Sequence, residues 1–203
     1  INTVLAFALV NLLLAFELAD KLTAKDELEV ARSIQQSLLP KQAPDNEAME
    51  IAYFCETARE VGGDYYDFYQ SESSSMIVIG DISGKGMAAA LHMVQVNTIM
   101  KSLNKDENLK DLVVEFNDKL QNLFPPSVFL TSSFLKLDEN NNVIYCRAGH
   151  LPLIHFSYKE KTCKQISPNG IGIAIQNQSE KFKSSLQENT LKLETNDILV
   201  LYT

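Results

Sequence analysis

The sequence predicts an α+β domain that follows one long N-terminal helix. Residues 1–39 contain neither proline nor glycine, and Pro40 then ends the helical segment. From Met49 onward, short apolar runs alternate with turn-forming residues, which is typical of strands. Two longer segments, 87–103 and 109–123, have helical character and lie between the strands. Strands that surround two helices indicate a layered packing of helices on sheets.

The N-terminal helix is predicted to transmit signals or to dimerise. Residues 1–16 carry no charge, but they are fewer than the roughly 20 apolar residues that a membrane span requires. Two stripes have the 3,4,3 spacing of a coiled-coil seam, with a slip between them. They consist of Leu9, Leu12, Phe16 and Ala19, and of Leu28, Ala31, Gln35 and Leu38. Two alternatives remain open: packing of the helix on its own domain, and the end of a membrane anchor.

Composition argues against a nucleic-acid partner and against a disulfide-stabilised fold. Lys and Arg number 18 against 26 Asp and Glu, which gives a net charge of −8. Nucleic-acid binding requires a basic face, so no nucleic-acid partner is expected. The cysteines Cys55, Cys146 and Cys163 form no CxxC pair and no disulfide framework. They indicate reduced thiols and a cytoplasmic location.

The strand and helix predictions follow the apolar pattern along the chain. Residues 76–79 are continuously apolar and predict a strand buried on both faces. The apolar stripe of 109–123 predicts a helix that Pro125 and Pro126 end. Residues 138–142 predict a hairpin connection. The remaining predicted strands are 49–58, 64–69, 129–137, 143–146, 153–158, 162–166, 191–193 and 198–202.

The glycine-rich turn after residue 79 predicts either a metal site or an ordinary turn. A P-loop is excluded, because the spacing from Gly80 to Gly84 is one residue too short and Gly86 replaces the required Ser or Thr. Asp81 follows Gly80, and Asp64 follows two glycines. Glycine allows close approach of an ion, and carboxylates are hard ligands that suit Mg²⁺ or Mn²⁺. Spacing alone leaves both interpretations open.

Five short motifs resemble, in the same order, those of the SpoIIE/RsbU family of bacterial serine phosphatases. This family is a branch of the metal-dependent type-2C (PPM) protein phosphatases. The resemblance extends over residues 28–203 and implies an α-β-β-α four-layer sandwich at 40–203, with 1–39 as a helical linker. The motifs are 31–40 (ARSIQQSLLP), 61–68 (VGGDYYDF), 80–86 (GDISGKG), 148–152 (AGHLP) and 196–203 (NDILVLYT).

The resemblance also implies roles for individual residues. Asp81 would bridge two Mn²⁺ or Mg²⁺ ions, the carbonyl of Ile82 would bind one of them, and Asp64 would act at the second. Such a pair of ions lowers the pKa of a shared water and offsets charge on the phosphoryl oxygens. Asp67 is expected to serve the fold rather than the metal, and His150 to brace a turn against the sheet.

The sequence departs from the family pattern in two places. In the family, Asp-Gly follows the final strand and a further Asp comes later, and both aspartates complete the metal site. The sequence ends at Thr203, immediately before these positions, so Asp64, Asp81 and Ile82 alone would bind metal weakly. In addition, 170–174 reads GIGIA, where the family more often has GLPLG.

The resemblance further implies partners and a mode of regulation. The substrate would be a phosphorylated anti-sigma-factor antagonist, and the helix would connect the phosphatase to an upstream sensor. The seam of the same helix predicts a homodimer. A membrane tether farther upstream is compatible with a cytoplasmic domain. Two rival functions remain open: a catalytically silent module that binds the same partner, and a dimeric signalling scaffold.

Overall fold

The computed structural model describes residues 2–44, 49–57, 60–71, 74–138, 142–175 and 178–203. These residues form helices and strands in an α+β arrangement. The helices are α1 (Asn2–Leu38), α2 (Gly86–Ser102), α3 (Leu109–Gln121) and α4 (Ser179–Ser185). The strands are β1 (Asp64–Gln70), β2 (Ser74–Ile82), β3 (Leu130–Asp138), β4 (Asn142–Ala148), β5 (Leu153–Ser157), β6 (Thr162–Ile166), β7 (Glu188–Lys192) and β8 (Ile198–Val200).

Two antiparallel sheets form the centre of the domain. The larger has the strand order β1-β2-β3-β4-β7, and the smaller has the order β6-β5-β8. On one face of the larger sheet, α2 and α3 cover a core that includes Met93, Phe116 and Phe134, all fully buried. On its other face, Leu135, Tyr145 and residues of the smaller sheet form a second core. The described residues therefore build helix, sheet and sheet layers, in agreement with the predicted α+β fold class.

Helix α1 extends away from the domain over most of its length. Residues 3–27 are exposed, and the first residue with reduced exposure is Leu28. The non-exposed positions of the helix are Leu28, Ala31, Gln35 and Leu38, which is the second predicted seam. This seam contacts α2 of the same chain. By length and composition, the stretch Thr3–Leu38 qualifies as a membrane-spanning helix, and no part of its most apolar window is buried.

The predicted strand at 49–58 is wrong over the described residues 49–57, which lie outside the helices and strands. The Tyr53 ring instead packs against Tyr66 and Phe68, at centroid distances of 5.5 Å in both cases. Aromatic packing thus accounts for the apolar pattern, while Phe54 remains 85% exposed. Residue 58 lies outside the described part of the chain.

Two further predictions need correction or completion, and one helix was not predicted. Strand β2 is buried on one face, since Ile77 and Ile79 are only half-buried. The hairpin of β3 and β4 is confirmed by their antiparallel register, although residues 139–141 of its connection lie outside the described part. Helix α4 was not predicted, because a helix of seven residues with Phe182 as its single buried side chain shows no periodicity.

Candidate metal centre

Asp64 and Asp81 lie directly opposite each other on neighbouring strands. Asp64 begins β1, Asp81 is the penultimate residue of β2, and the two are register partners in the antiparallel pair. Such partners point to the same face of a sheet. Asp81 is exposed and Asp64 half-buried, so both carboxylates are open to solvent at this end of the sheet. The structure therefore brings together the two predicted carboxylate ligands.

The carbonyl of Ile82, the third predicted ligand, lies beside the glycine that precedes Asp64. The Ile82 N–H donates to the Gly63 carbonyl at 3.2 Å. A Cβ on Gly63 would lie 2.7 Å from the Ile82 carbonyl oxygen and 3.3 Å from Asp81 Oδ1. The absence of a side chain at this position therefore leaves a small space next to two oxygen donors.

The electrostatics of the pair favour a cation. Partial burial, and secondly the negative charge of Asp64, raise the pKa of Asp81 above its ordinary value. A bound cation would offset this repulsion between the carboxylates. All three donors are oxygens, which fits Mg²⁺ or Mn²⁺. The number of donors is small, because no group of three or more His, Cys, Asp or Glu side chains in the described ranges could hold a metal.

The turn between β2 and α2 is shaped by backbone contacts. Ser83 exchanges hydrogen bonds with Phe129: its N–H donates to the Phe129 carbonyl, and its Oγ accepts from the Phe129 N–H, both at 2.9 Å. Gly84 and Gly86 have φ values of +104° and +66°, a region that favours glycine. Helix α2 is preceded by Lys85 without a side-chain cap. The Ser83 side chain therefore does not cap this helix.

Gln35 connects α1 to the loop that carries Asp64. Its Nε2 donates to the Gly62 carbonyl at 2.6 Å, and the Gly62 N–H donates to its Oε1 at 3.2 Å. Gln35 is 5% exposed, although it occupies a helix that is otherwise largely in solvent. The sequence identified Gln35 only as a seam position and gave no sign of a backbone partner 27 residues away.

Asp67 lies on the opposite face of β1, beneath the helices. It is 5% exposed, and its Oδ2 accepts hydrogen bonds from Tyr69 at 2.8 Å and from Tyr65 at 3.3 Å. A carboxylate buried in this way does not face Asp64 or Asp81. Its position agrees with the expected role in the fold.

His150 lies in a turn that contacts the same end of the large sheet. It is 5% exposed, and its Nδ1 lies 2.9 Å from the Oγ1 of Thr131, the register partner of Asp81. Burial lowers the pKa of His150 to about 4, with a smaller contribution from Arg147, while the Tyr202 backbone acts in the opposite direction. The imidazole is therefore neutral at physiological pH. Thr131 was not singled out from the sequence, since its position matters only once the register is known.

The chain is similar to a curated protein in sequence and to two solved structures in fold. Phosphoserine phosphatase RsbU of Bacillus subtilis is 32% identical over 187 residues, which are 88% of this chain and 52% of RsbU. The SiaA-PP2C domain of Pseudomonas aeruginosa aligns with a TM-score of 0.70 at 13% identity, over 89% of this chain and 72% of that domain. A crystal structure of RsbX in complex with magnesium gives a TM-score of 0.55 at 16% identity, over 69% and 65% of the two chains.

These similarities support the fold and the family. The two structural matches have the α+β architecture of PP2C-type phosphatases. The chain spans about half the length, or less, of the curated relatives that it matches. The family described as "Stage II sporulation protein E (SpoIIE)" matches residues 71–203, which include β2, Asp81, Ile82 and all later elements. On the strength of this match over most of the sequence, the chain belongs to the SpoIIE family.

Proposed function

We propose that residues 40–203 form the phosphatase domain of a Mn²⁺- or Mg²⁺-dependent protein serine/threonine phosphatase, with residues 1–39 as its regulatory linker. The observation that carries this proposal is the pairing of Asp64 with Asp81 beside the Ile82 carbonyl. Two relatives support it by name: RsbU is a phosphoserine phosphatase, and RsbX has been crystallised with magnesium.

In the proposed reaction, the side chains position the ions and the substrate phosphate. Asp81 is proposed as the central ligand, as the family resemblance implies, and it is both the register partner of Asp64 and the residue before Ile82. Two bound divalent ions would supply water that is activated near neutral pH and would offset charge on the phosphoryl oxygens. Two ions of this kind require about six oxygen ligands each, so further carboxylates are needed in the complete centre.

The proposed substrate is a phosphoserine on a small regulatory protein of the anti-sigma-factor antagonist type. Support comes from RsbU, which is named for phosphoserine. The net charge of −8 and the open, solvent-facing carboxylates fit a site that acts on a protein surface rather than on nucleic acid. A cytoplasmic location is proposed as well, because the three cysteines are free thiols and the proposed substrate is a regulatory protein of the cytoplasm.

The test of the catalytic proposal is replacement of the central carboxylate. In a full-length version of the protein, Asp81→Asn should abolish Mn²⁺-dependent release of phosphate from a phosphoserine protein, and Asp64→Asn should weaken it strongly. Asp106→Asn, on an exposed loop, is the matched control and should leave turnover unchanged. Unchanged turnover in Asp81→Asn, with the control also active, would exclude the two-metal assignment.

Regulation through α1 is proposed from the contacts at its C-terminal end. Gln35 holds Gly62, and the Asn97 side chain of α2 donates to the Leu38 carbonyl at 3.2 Å. Helix α1 thus contacts both the loop that precedes Asp64 and helix α2, which follows Asp81 in the chain. A shift of α1 would change the positions of both ligands relative to each other, and so the affinity of the site for metal.

Homodimerisation through α1 is proposed from its exposed apolar side chains. Leu28, Ala31, Gln35 and Leu38 face the domain, which leaves the first seam for a second copy. Leu9, Leu12 and Phe16 of that seam are 52%, 53% and 61% exposed. An upstream sensor domain would act on this part of the helix.

The alternative function is a catalytically silent phosphatase-like module that binds the same partner, or a dimeric scaffold. A residue other than a carboxylate in place of the Asp-Gly that follows the final strand in the family would favour this alternative. Calorimetric titration with Mn²⁺ discriminates between the enzyme and the silent module, since a silent module binds no ion at Asp81. Sedimentation of residues 40–203 against the whole chain tests the scaffold, which requires that only the whole chain is dimeric.

A further inference from the structure

A line of close polar contacts leads from a buried imidazole to the backbone of the central metal ligand. The Nδ1 of His150 lies 2.9 Å from Thr131 Oγ1. The same hydroxyl oxygen lies 3.5 Å from the carbonyl oxygen of Asp81, at the long end for a hydrogen bond. Thr131 is the β3 residue directly opposite Asp81. Both contacts therefore share the Thr131 hydroxyl, which lies on β3 opposite Asp81.

The position of His150 is fixed by the backbone of its turn. Arg147 donates from Nη1 to the His150 carbonyl and from Nε to the Pro168 carbonyl, the latter at 3.0 Å. Gly149 has a φ of +67°, and a Cβ there would lie 2.7 Å from the Gly172 nitrogen. These contacts leave the imidazole little freedom to move away from Thr131.

The Thr131 hydroxyl lies between the imidazole and the Asp81 backbone and contacts both. A threonine hydroxyl has one proton to donate. Either this proton points to the Asp81 carbonyl and Oγ1 accepts from His150 Nδ1–H, or it points to Nδ1, which then accepts it. Nε2 is buried and has no partner of hydrogen-bond geometry among the described residues, while the Tyr202 backbone acts on the imidazole to raise its pKa. Turn bracing alone would not require this placement against the partner of Asp81.

We propose that His150 is a positioning residue of the metal centre, which acts through Thr131 on the backbone of Asp81. The proposal rests on the function proposed above, in which Asp81 and the Ile82 carbonyl are metal donors. The contacts hold β3 against β2 where these two donors leave the sheet. Their removal would let the donors move apart without unfolding the domain.

The test is the affinity of the whole chain for Mn²⁺, measured from the electron paramagnetic resonance signal of free Mn²⁺. Thr131→Val removes the hydroxyl at nearly constant shape and should weaken binding by about 10–100-fold, as the loss of an outer-shell partner does. Thr131→Ser keeps the hydroxyl and should restore affinity to near that of the unmodified chain. Thr190→Val, at an exposed position of β7, is the matched control.

A double-mutant cycle tests whether His150 acts through Thr131. His150→Ala and Thr131→Val should each weaken Mn²⁺ binding, and the double variant should be no weaker than the worse single variant, because residues of one hydrogen-bonded network are not additive. Additive losses would overturn the proposal and leave His150 with a purely structural role. Circular dichroism and the Tm of each variant establish that it is folded.

Hydrogen exchange of residues 80–86 without metal gives a readout that does not depend on metal affinity. Thr131→Val should speed exchange of this segment about fivefold, which corresponds to the net free energy of one hydrogen bond. Thr131→Ser should leave the exchange rate unchanged. Unchanged exchange in Thr131→Val would overturn the proposal. The proposed function fails if the whole chain binds no Mn²⁺, or if Asp81→Asn does not remove the binding. In that case the exchange result still decides whether Thr131 and His150 position the Asp81 backbone.

Discussion

The side-chain amide of Gln35 and the backbone amide of Gly62 exchange two hydrogen bonds across 27 residues of sequence. Their donor–acceptor distances are 2.6 Å and 3.2 Å. Gly62 lies two residues before Asp64, and Gln35 lies one turn before the end of α1. The linker helix is thereby joined to the segment that directly precedes Asp64.

Gln35→Leu should uncouple α1 from this loop. The substitution leaves the Gly62 N–H and carbonyl without their partner, so the free energy of unfolding should fall by about 1–3 kcal/mol. Mn²⁺ affinity should fall with it, because Asp64 is then less well positioned. Chemical denaturation and Mn²⁺ titration measure the two effects. Gln36→Leu, at an exposed neighbouring position, is the control, and an equal effect of both variants would contradict the prediction.

Gly63→Ala should block metal binding while Gly62→Ala does not. A Cβ on Gly63 would lie 2.7 Å from the Ile82 carbonyl oxygen, which belongs to the backbone and cannot turn aside. A Cβ on Gly62 would approach the Thr57 Cγ2 at 3.0 Å, and this side chain can adjust. Calorimetric titration with Mn²⁺ compares the variants. Equal affinities for the two alanine variants would show that close approach at Gly63 is not required.

Asp81→Asn should stabilise the metal-free protein at pH 7. Burial and the charge of Asp64 raise the pKa of Asp81, so its ionised form opposes folding at neutral pH. The difference in Tm between the variant and the unmodified protein should shrink as the pH falls through the raised pKa toward 3.8, because Asp81 is then protonated. Thermal unfolding in the presence of a chelator measures this. A lower Tm for the variant at pH 7 would contradict the expected repulsion.

His150 should make the protein less stable in mild acid. Its pKa is lowered from 6.5 to about 4, so the neutral form favours the folded state. This stability is complete above pH 6.5 and decreases as the pH falls toward 4, by at most about 3 kcal/mol. Urea denaturation as a function of pH should show the decrease, and His150→Asn should remove that part of it. An unchanged pH dependence in the variant would assign the decrease to other groups.

Leu12→Glu should disrupt a dimer formed through the first seam of α1. A charge at a seam position is buried against the partner helix, whereas a charge outside the seam remains in water. Leu14 lies on the opposite side of the helix and is 59% exposed, so Leu14→Glu is the matched control. Sedimentation should show monomers for the first variant and dimers for the second. Dimers in both would place the interface elsewhere.

The local patterns of the sequence predict much of the fold and the ligand pair. The strand β6 agrees with its predicted bounds, and α2 and α3 agree within a few residues. Asp64 and Asp81 were identified because glycines precede both of them. Their opposition across β1 and β2 depends on the strand register, which the spacing of two Gly-Asp pairs does not define.

The missed features depend on partners that are distant in sequence. The spacing of Leu28, Ala31, Gln35 and Leu38 shows that one face of the helix is covered, but not that α2 of the same chain covers it. The alternating pattern at 49–58 shows partial burial, whereas strand assignment requires a hydrogen-bonded neighbour. Gln35 and Thr131 contact backbone atoms of other segments. Every residue type has these backbone atoms, so the side chain of the partner does not indicate the contact.

Helix α1 has the proportions of a lever. Its exposed part, residues 3–27, is about 38 Å long, while Gln35 lies only about 10 Å beyond Leu28, where contact with the domain begins. For a rigid rod that pivots at Leu28, the mechanical ratio is about four to one. A sideways movement of about 4 Å at the first turn then becomes about 1 Å at Gln35, enough to break its bonds to Gly62. A helix that moves in this way would convert a large movement of small force into a small movement of larger force.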